Sequence, residues 1–230
     1  IMTSKLPLIL NIETSTRNCS VALFSGDKLI AEKSLLSEKF SHAEKLTVFI
    51  EDVIRKSNYK LVDLDAISIS KGPGSYTGLR IGVSTAKGLC FALEIPLISV
   101  SNLQSMALNI SRKNSNYDLY CPMIDARRME VFTAFYDRDN NQLRDIKADI
   151  VNQYSYVKEL ENQKVLFFGD GSDKCKNVLD SENAYFIENV FPCATEMGTL
   201  ALEKYNNKNF ENLAYFEPFY LKDFLAGKKN

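Results

Sequence analysis

The amino-acid sequence predicts an α/β fold, in which a mixed β-sheet carries helices on at least one face. Apolar segments of strand length and segments of helical periodicity follow one another in the order strand, strand, strand, helix, strand, helix, strand over residues 6–101. This order combines hairpins with crossover connections, which is typical of a mixed sheet. The chain has 230 residues, of which 45% are apolar and 11% aromatic, so it can fill a large core.

Three consecutive strands open the chain. LPLILNIET (6–14) is a nearly continuous apolar run of the kind found in buried strands, and CSVALFSGD (19–27) follows after a short polar turn. KLIAEKSLL (28–36) is predicted as the third strand, with a hairpin at Gly26 and Asp27. These segments predict a three-stranded meander.

Helices and strands then alternate. Residues 38–57 show helical periodicity, with an apolar stripe broader than one core-facing side requires. A strand is predicted at 64–70, a helix at 78–93 and a strand at 96–101. Ser101 and the following residue are suitable N-caps for a further helix.

The second half of the chain is less regular. Residues 120–139 are predicted as two strands around the turn Ala-Arg-Arg, and 164–172 as a strand that ends in a turn. Short helices are predicted at 154–162 and 195–205.

Composition excludes several classes of function. The 28 basic and 29 acidic residues give a net charge of -1, so no overall basic field favours nucleic acid, and RNA contact is expected to be indirect. The chain has one histidine, His42, and five cysteines without a C-x-x-C pair, so we expect buried thiols in a reducing compartment and no metal site. His42 is expected to be exposed or half-exposed near a helix start. Apolar runs shorter than the roughly 18 residues of a membrane span, and an amino end without a signal-peptide pattern, predict a cytoplasmic protein.

The glycine-rich segment SKGPGSYTGLRIGVSTAKG (70–88) allows two interpretations. It is not a Walker A loop, and its spacing is one residue longer than the dinucleotide fingerprint. A strand that leads through Gly72, Gly74 and Ser75 into a helix N-terminus could still receive a phosphate. The other interpretation, which we favour, is that small residues of the helix form a flat face against which another helix packs closely. That face comprises Gly78, Gly82, Thr85 and Ala86.

The first hairpin is a second candidate nucleotide site. Glu13, Thr14 and Ser15 end a predicted buried strand, where a carboxylate could organise a metal ion or phosphates. The alternative is a strand-end carboxylate that accepts hydrogen bonds from the amides and hydroxyls of its own turn. The hairpin lacks glycine, which favours the second interpretation.

The charged turn at Asp125, Arg127 and Arg128 allows two interpretations. It is either a surface turn with weak ion pairs or an arginine donor directed at a cleft or at a partner's anionic ligand.

Five segments of the chain match the sequence pattern of a known family. They are ILNIETSTRNCSVALF, SKGPGSYTGLRIGVSTAKGL, LISVSNLQSMA and MIDARRMEVF, together with EPFYLKDF near the carboxyl end. With these segments the chain resembles the bacterial TsaB family, also called YeaZ. The resemblance covers the first 137 residues well and the second half only through that tail. It implies a two-lobed actin-like fold of the ASKHA, RNase H-like type, with lobes at 1–105 and 106–230. Many relatives have Asp at the position of Glu13, which weakens a metal or phosphate role there.

The resemblance also implies a function. The chain would be a non-catalytic scaffold that pairs with a TsaD-like catalytic subunit and a TsaE-like ATPase, to form N6-threonylcarbamoyladenosine at position 37 of tRNAs that read ANN codons. It would form a homodimer when alone, would bind no cofactor by itself, and would share any ATP or ADP with magnesium at the interface of the complex. Expected interface residues lie on the two helices of the first lobe: His42, Leu46, Phe49, Ile50, Val53, Gly78, Arg80, Gly82, Thr85 and Ala86. The alternatives are an ATP-binding phosphotransferase and, more weakly, a peptidase.

Overall fold

Two five-stranded mixed sheets with the same topology form the framework of the protein. The computed structural model describes residues 5–37 and 42–221. The strand order is β3-β2-β1-β4-β5 in the first sheet and β10-β9-β6-β7-β8 in the second. Read from its first strand, each sheet begins with an antiparallel meander of three strands and adds two parallel strands on the other side. The α/β, two-lobed fold class predicted from the sequence is confirmed.

The first sheet contains the five strands predicted for the first half of the chain. Its central strand β1 pairs antiparallel with β2 and parallel with β4, so its C-terminal end lies beside the beginning of β2 and near the end of β4. The strands are β1 Leu8–Glu13, β2 Asn18–Ser25, β3 Lys28–Leu36, β4 Ala66–Gly72 and β5 Leu97–Ser101.

The second sheet contains two strands that the sequence did not reveal. The predicted pair around the Ala-Arg-Arg turn and the strand near residue 165 are confirmed, but β8 and β10 were missed. The strands are β6 Leu119–Asp125, β7 Glu130–Tyr136, β8 Gln142–Ile150, β9 Val165–Phe168 and β10 Ala184–Ile187. Polar side chains alternate along β8 with no strong apolar face, and β10 has only four residues.

Helices α1 (His42–Ser57) and α2 (Tyr76–Leu93) cover one face of the first sheet. Their apolar sides share a core with Leu10, Ile12 and Ile69 of the sheet. Removing a leucine or isoleucine side chain of this size from water contributes about 2 kcal/mol, so this layer is a main source of stability. Residues 38–41 of the predicted first helix lie outside the described residues.

The remaining helices follow the first sheet along the chain. Helix α3 (Asn102–Lys113) packs on the second sheet, α4 spans Val157–Asn162, and α5 (Gly198–Asn206) follows a 3₁₀ turn at Ala194–Met197. This last turn and α5 return to the first sheet, where they bury its second face. The lobe boundary at residues 105 and 106 stays a prediction.

Two further observations concern the surface and the thiols. Within residues 5–37 and 42–221, no helix is both long enough and apolar enough to cross a membrane. All five cysteines are free thiols, and four of them are buried, as expected from their apolar surroundings.

Candidate functional site

The end of β1, the first hairpin and the glycine loop form one interlocked structure. Ser15 donates its amide to Glu13 Oε1 at 2.6 Å, and its carbonyl oxygen accepts the amide of Ser75 at 2.7 Å. Thr14 Oγ1 donates to the carbonyl oxygen of Gly78 in α2 at 2.8 Å. Glu13, Thr14 and Ser15 are fully buried. The hairpin therefore uses its polar groups to hold its own turn and the start of α2.

Three glycines allow this close approach. A Cβ atom at Gly74 would lie well inside van der Waals contact with the carbonyl of Ser15, and one at Gly78 would do the same with the carbonyl of Thr14. At Gly82 the added atom would collide with Thr14 Oγ1. The glycine segment is thus shaped to receive the hairpin of the same chain.

Two side chains from neighbouring helices complete this structure. Asn102, fully buried at the start of α3, donates to Ser15 Oγ at 2.8 Å and to the carbonyl of Pro73 at 2.7 Å. His42, at the start of α1, places Nε2 2.7 Å from the carbonyl of Thr16. His42 is 1% exposed, so the expectation of an exposed residue was wrong. Burial lowers the pKa of the imidazole, which keeps it neutral at physiological pH.

The second sheet repeats the loop after its own fourth strand. Gly169–Ser172 has the sequence Gly-Asp-Gly-Ser, and its first glycine lies against the carbonyl of Met123 as Gly74 lies against Ser15. Asp170 Oδ1 accepts the amide of Asp125 at 3.0 Å, and burial raises the pKa of Asp170 to about 6.

The charged turn that follows β6 has a defined structure. Arg127 and Arg128 both have positive φ, and Lys174 forms an ion pair with Asp125 and donates to the carbonyl of Glu130 at 2.6 Å. Asp125 is thereby held at the surface by a lysine, and the two interpretations of the arginines remain open.

Two backbone amides of the predicted nucleotide residues are already used within the chain. The amides of Ser15 and Ser75 already have acceptors within the chain, and Gly72 is buried behind them. Among the described residues, no three His, Cys, Asp or Glu side chains come together in a way that could hold a metal ion. The assignment of Glu13 and the two loops to a shared nucleotide site stays a prediction.

Most of the predicted partner residues lie inside the chain. Eight of the ten are buried, whereas Arg80 is exposed and Thr85 is partly exposed. The steric explanation given for Gly78 and Gly82 was wrong, because the atoms that require glycine there belong to Thr14 of the same chain. The buried residues are His42, Leu46, Phe49, Ile50, Val53, Gly78, Gly82 and Ala86.

A different row of small residues faces outward on α2. Ser84, Gly88 and Ala92, spaced four apart, are all exposed. Among the described residues, no atom beyond the local helix backbone lies within 4 Å of the position that a Cβ would take at Gly88. Glycine inside a helix lowers helix stability by about 1 kcal/mol relative to alanine. Packing within the described part of the chain does not explain why residue 88 is a glycine.

An apolar groove runs beside this row, between α1 and α2. It has a volume of about 450 Å³. Its walls include Thr47, Ile54, Leu61, Thr85 and Leu89. Sequence reasoning assigned residues on the inner sides of these two helices to the partner surface, and the location of a partner surface on α1 and α2 stays a prediction.

Comparisons with known proteins agree with this architecture. Residues 36–226 match the family described as "TsaD: tRNA N6-adenosine threonylcarbamoyltransferase". The chain is 32% identical over 231 residues to the tRNA threonylcarbamoyladenosine biosynthesis protein TsaB of Escherichia coli, covering 96% of this chain and 97% of the relative. It is 33% identical over 177 residues to TsaB of Bacillus subtilis, covering 75% of each.

Solved structures show the same fold. YeaZ from Pseudomonas aeruginosa aligns with a TM-score of 0.76 at 23% identity, over 94% of this chain and 100% of that chain. A second Pseudomonas aeruginosa structure, described as an uncharacterised protein with similarity to peptidase YeaZ, aligns with a TM-score of 0.82 at 24% identity, over 94% and 100%. The chain therefore belongs to the TsaD-related proteins and, within them, to the TsaB family.

Proposed function

We propose that this chain acts in the formation of threonylcarbamoyladenosine in tRNA, as a non-catalytic subunit that pairs with a TsaD-like catalytic subunit. The pathway follows from the TsaB relatives, which match nearly the whole chain. The pairing is supported by the outer side of α1 and α2, where an apolar groove lies beside exposed small residues. Helices pack closely where small side chains allow their backbones to approach.

Gly88 is the observation that carries this proposal. A glycine in the middle of an 18-residue helix weakens the helix, and its exposed face meets no described side chain of this protein. A helix of a partner would explain why no side chain stands there. The surface is self-complementary in type, so a homodimer is expected when the partner is absent.

The other components are proposed in the same scheme. A TsaE-like ATPase would join the pair, and any nucleotide with magnesium would be held jointly at the interface, since the donors of the first hairpin are used within this chain. The numbers of basic and acidic residues differ by one, so the chain has no overall basic field and would contact tRNA indirectly.

Reconstitution tests this function. Transfer of the threonylcarbamoyl group from its adenylate to tRNA is measured with TsaD-like and TsaE-like proteins, with and without this chain, and ATP turnover is measured for this chain alone. Activity only in the complete mixture is the expected result. Full activity without the chain, or ATP turnover by the isolated chain, would contradict the proposal and favour the phosphotransferase alternative.

A surface variant tests the interface itself. Gly88→Leu places a large side chain on the outer face of α2 and should lower affinity for the TsaD-like subunit at least tenfold while the chain remains folded. Glu203→Leu, at an exposed position of α5, is the matched control and should bind normally. Equal affinity for both variants would show that the interface lies elsewhere.

A further inference from the structure

A polar cavity lies beside β8, the outer strand of the second sheet. It has a volume of about 510 Å³ and is bounded by β8, the turn that follows this strand, and α4. Helix α4 has the place in the second lobe that α1 has in the first, because each connects the third strand of its sheet to the fourth. Helix α4 has 6 residues where α1 has 16, so it covers less of its sheet and leaves this space beside β8.

Arg144 of β8 is fixed on the wall of the cavity. Its guanidinium carbon Cζ lies 4.9 Å from the centre of the Phe135 ring and 5.6 Å from the centre of the Tyr156 ring. Nη2 forms an ion pair with Asp149 Oδ2 at 2.7 Å, and the Tyr156 hydroxyl donates to the same oxygen at 2.9 Å. An arginine held in this way is oriented before a ligand arrives, which lowers the entropic cost of binding.

Arg144 keeps donors that the protein does not use. A guanidinium carries five N–H donors, and within residues 5–37 and 42–221 its one charged partner is Asp149. Nε has no acceptor, and 24% of the side-chain surface remains accessible beside the cavity. Arg144 can therefore donate to a further acceptor without leaving Asp149. A carboxylate is the acceptor whose geometry matches a guanidinium best.

Glu159 of α4 brings a negative charge to another wall of the same cavity. Its side chain is half-buried and lines the cavity together with Arg144. In the part of the chain that the structure describes, its carboxylate makes no hydrogen bond and no ion pair. Because Arg144 pairs with Asp149, Glu159 and Arg144 face one space without neutralising each other.

A structural ion pair explains only part of this arrangement. It accounts for Arg144 and Asp149, but it gives no role to the carboxylate of Glu159 or to the space between α4 and the strand. Ala148 and Ile150 of β8 add an apolar wall, and Ile150 is 72% exposed. The cavity thus combines an arginine donor, an unpaired carboxylate and an apolar wall.

We propose that this cavity binds a small zwitterion, of which a free α-amino acid with an apolar side chain is the simplest example. The carboxylate of the ligand accepts hydrogen bonds from Arg144, and its ammonium group donates to Glu159. Its side chain packs against the apolar wall of Ala148 and Ile150. The cavity volume lies within the range of small-molecule sites and leaves room for bridging water.

The charges of the cavity favour a zwitterion over a simple ion. Asp149 and Glu159 repel a ligand that carries only negative charge, since Arg144 neutralises one of these two carboxylates and not both. A ligand that carries only positive charge leaves the remaining donors of Arg144 without an acceptor. A zwitterion satisfies both groups and does not change the net charge of the site.

An NMR titration of the isolated full chain with L-leucine tests the site through the backbone amide signals. L-leucinamide keeps the ammonium group and lacks the carboxylate, whereas N-acetyl-L-leucine keeps the carboxylate and lacks the ammonium group. L-leucine should cause saturable shifts centred on residues 144–159. Each derivative should bind about tenfold or more weakly, because it loses one charge-assisted hydrogen bond.

Two glutamates of α4 provide a matched pair of variants. Glu159→Gln should lower the affinity for L-leucine by about tenfold or more and should remove its preference over N-acetyl-L-leucine, because a neutral amide does not attract the ammonium group. Glu161→Gln, at an exposed position two residues further on, should bind as the wild type does. Arg144→Gln should remove the preference for L-leucine over L-leucinamide.

The outcomes separate the possible ligand classes. Equal affinity for L-leucine and L-leucinamide would show a site for amines, and equal affinity for L-leucine and N-acetyl-L-leucine would show a site for anions; either result would overturn the proposal. So would the absence of saturable shifts, shifts centred elsewhere, or equal effects of Glu159→Gln and Glu161→Gln. If Arg144→Gln does not fold, the three ligands and the glutamate pair still decide. The result is independent of pairing with a TsaD-like subunit, because the measurement uses the isolated chain.

Discussion

Two glycines of α2, about one and two-thirds turns apart, should respond in opposite directions to the same substitution. Gly88 faces outward, and a methyl group there meets none of the described residues beyond its own helix. Gly88→Ala should therefore stabilise the isolated chain by about 1 kcal/mol through helix propensity. For a chain of this length that corresponds to a rise in Tm of about 2–4 °C.

Gly82→Ala should destabilise the chain. The new Cβ would collide with Thr14 Oγ1 and lie 3.0 Å from Ile69 Cδ1. Overpacking typically costs about 1–3 kcal/mol. Displacing Thr14 also breaks its hydrogen bond to Gly78 and leaves its buried hydroxyl without an acceptor, which costs about 1–3 kcal/mol more. After the gain of about 1 kcal/mol in helix propensity, a net loss of about 3 kcal/mol remains.

Urea unfolding followed by circular dichroism measures both variants against the wild type. The expected difference between them is about 4 kcal/mol, well above the error of the method when the m-values agree. If Gly88→Ala destabilises the isolated monomer, or if Gly82→Ala is neutral, then the orientation of α2 derived from the structure is wrong. Concentration must be held low, because a homodimer through the outer face would add its own stability.

Two other predictions concern the interlocked hairpin. Asn102→Ala should lower the free energy of unfolding in urea by about 2 kcal/mol, because it leaves the carbonyl of Pro73 buried without its donor. The control Asn209→Ala, at an exposed position, should have little effect. Equal losses of stability in the two variants would contradict the role of Asn102. The pKa of His42 is lowered in the folded chain, so as the pH falls the unfolded chain binds a proton at this residue before the folded chain does. The stabilising contribution of the neutral imidazole should therefore be present above pH 6.5, the ordinary pKa of histidine. That contribution should be lost as the pH falls below 6.5. Thermal unfolding of the wild type and His42→Gln across this range checks the sign, and identical pH profiles would refute it.

Much of the first lobe could be predicted from the sequence. Its strands are apolar runs bounded by turns, and α2 begins where Ser75 caps the helix by accepting the amide of Gly78. β8 was missed because an edge strand with one solvent-facing side and frequent charged residues has a weak apolar pattern, and its place is decided by pairing with β7.

The candidate site shows which features local sequence patterns do not determine. The sequence indicated that α1 and α2 carry a partner surface, and the periodicity of α2 groups its small residues into rows. Periodicity gives the angle between rows but not which row faces the sheet. The structure turns Gly82 toward Thr14 and Gly88 toward solvent, so Gly82, which was predicted to face another helix, faces the hairpin of its own chain.

The sequence by itself determined the α/β class, the family and the order of elements in the first lobe, because these depend on local apolar periodicity and on motifs that are contiguous in the chain. The tertiary structure alone decided the inward and outward faces of α2 and the packing of the turn Ala194–Met197 against Ser20 of the first sheet. The first feature depends on how α2 packs against the hairpin that contains Thr14. The second depends on the return of the chain from the second sheet to the first, and no local pattern near Ser20 carries information about an amide 174 positions away.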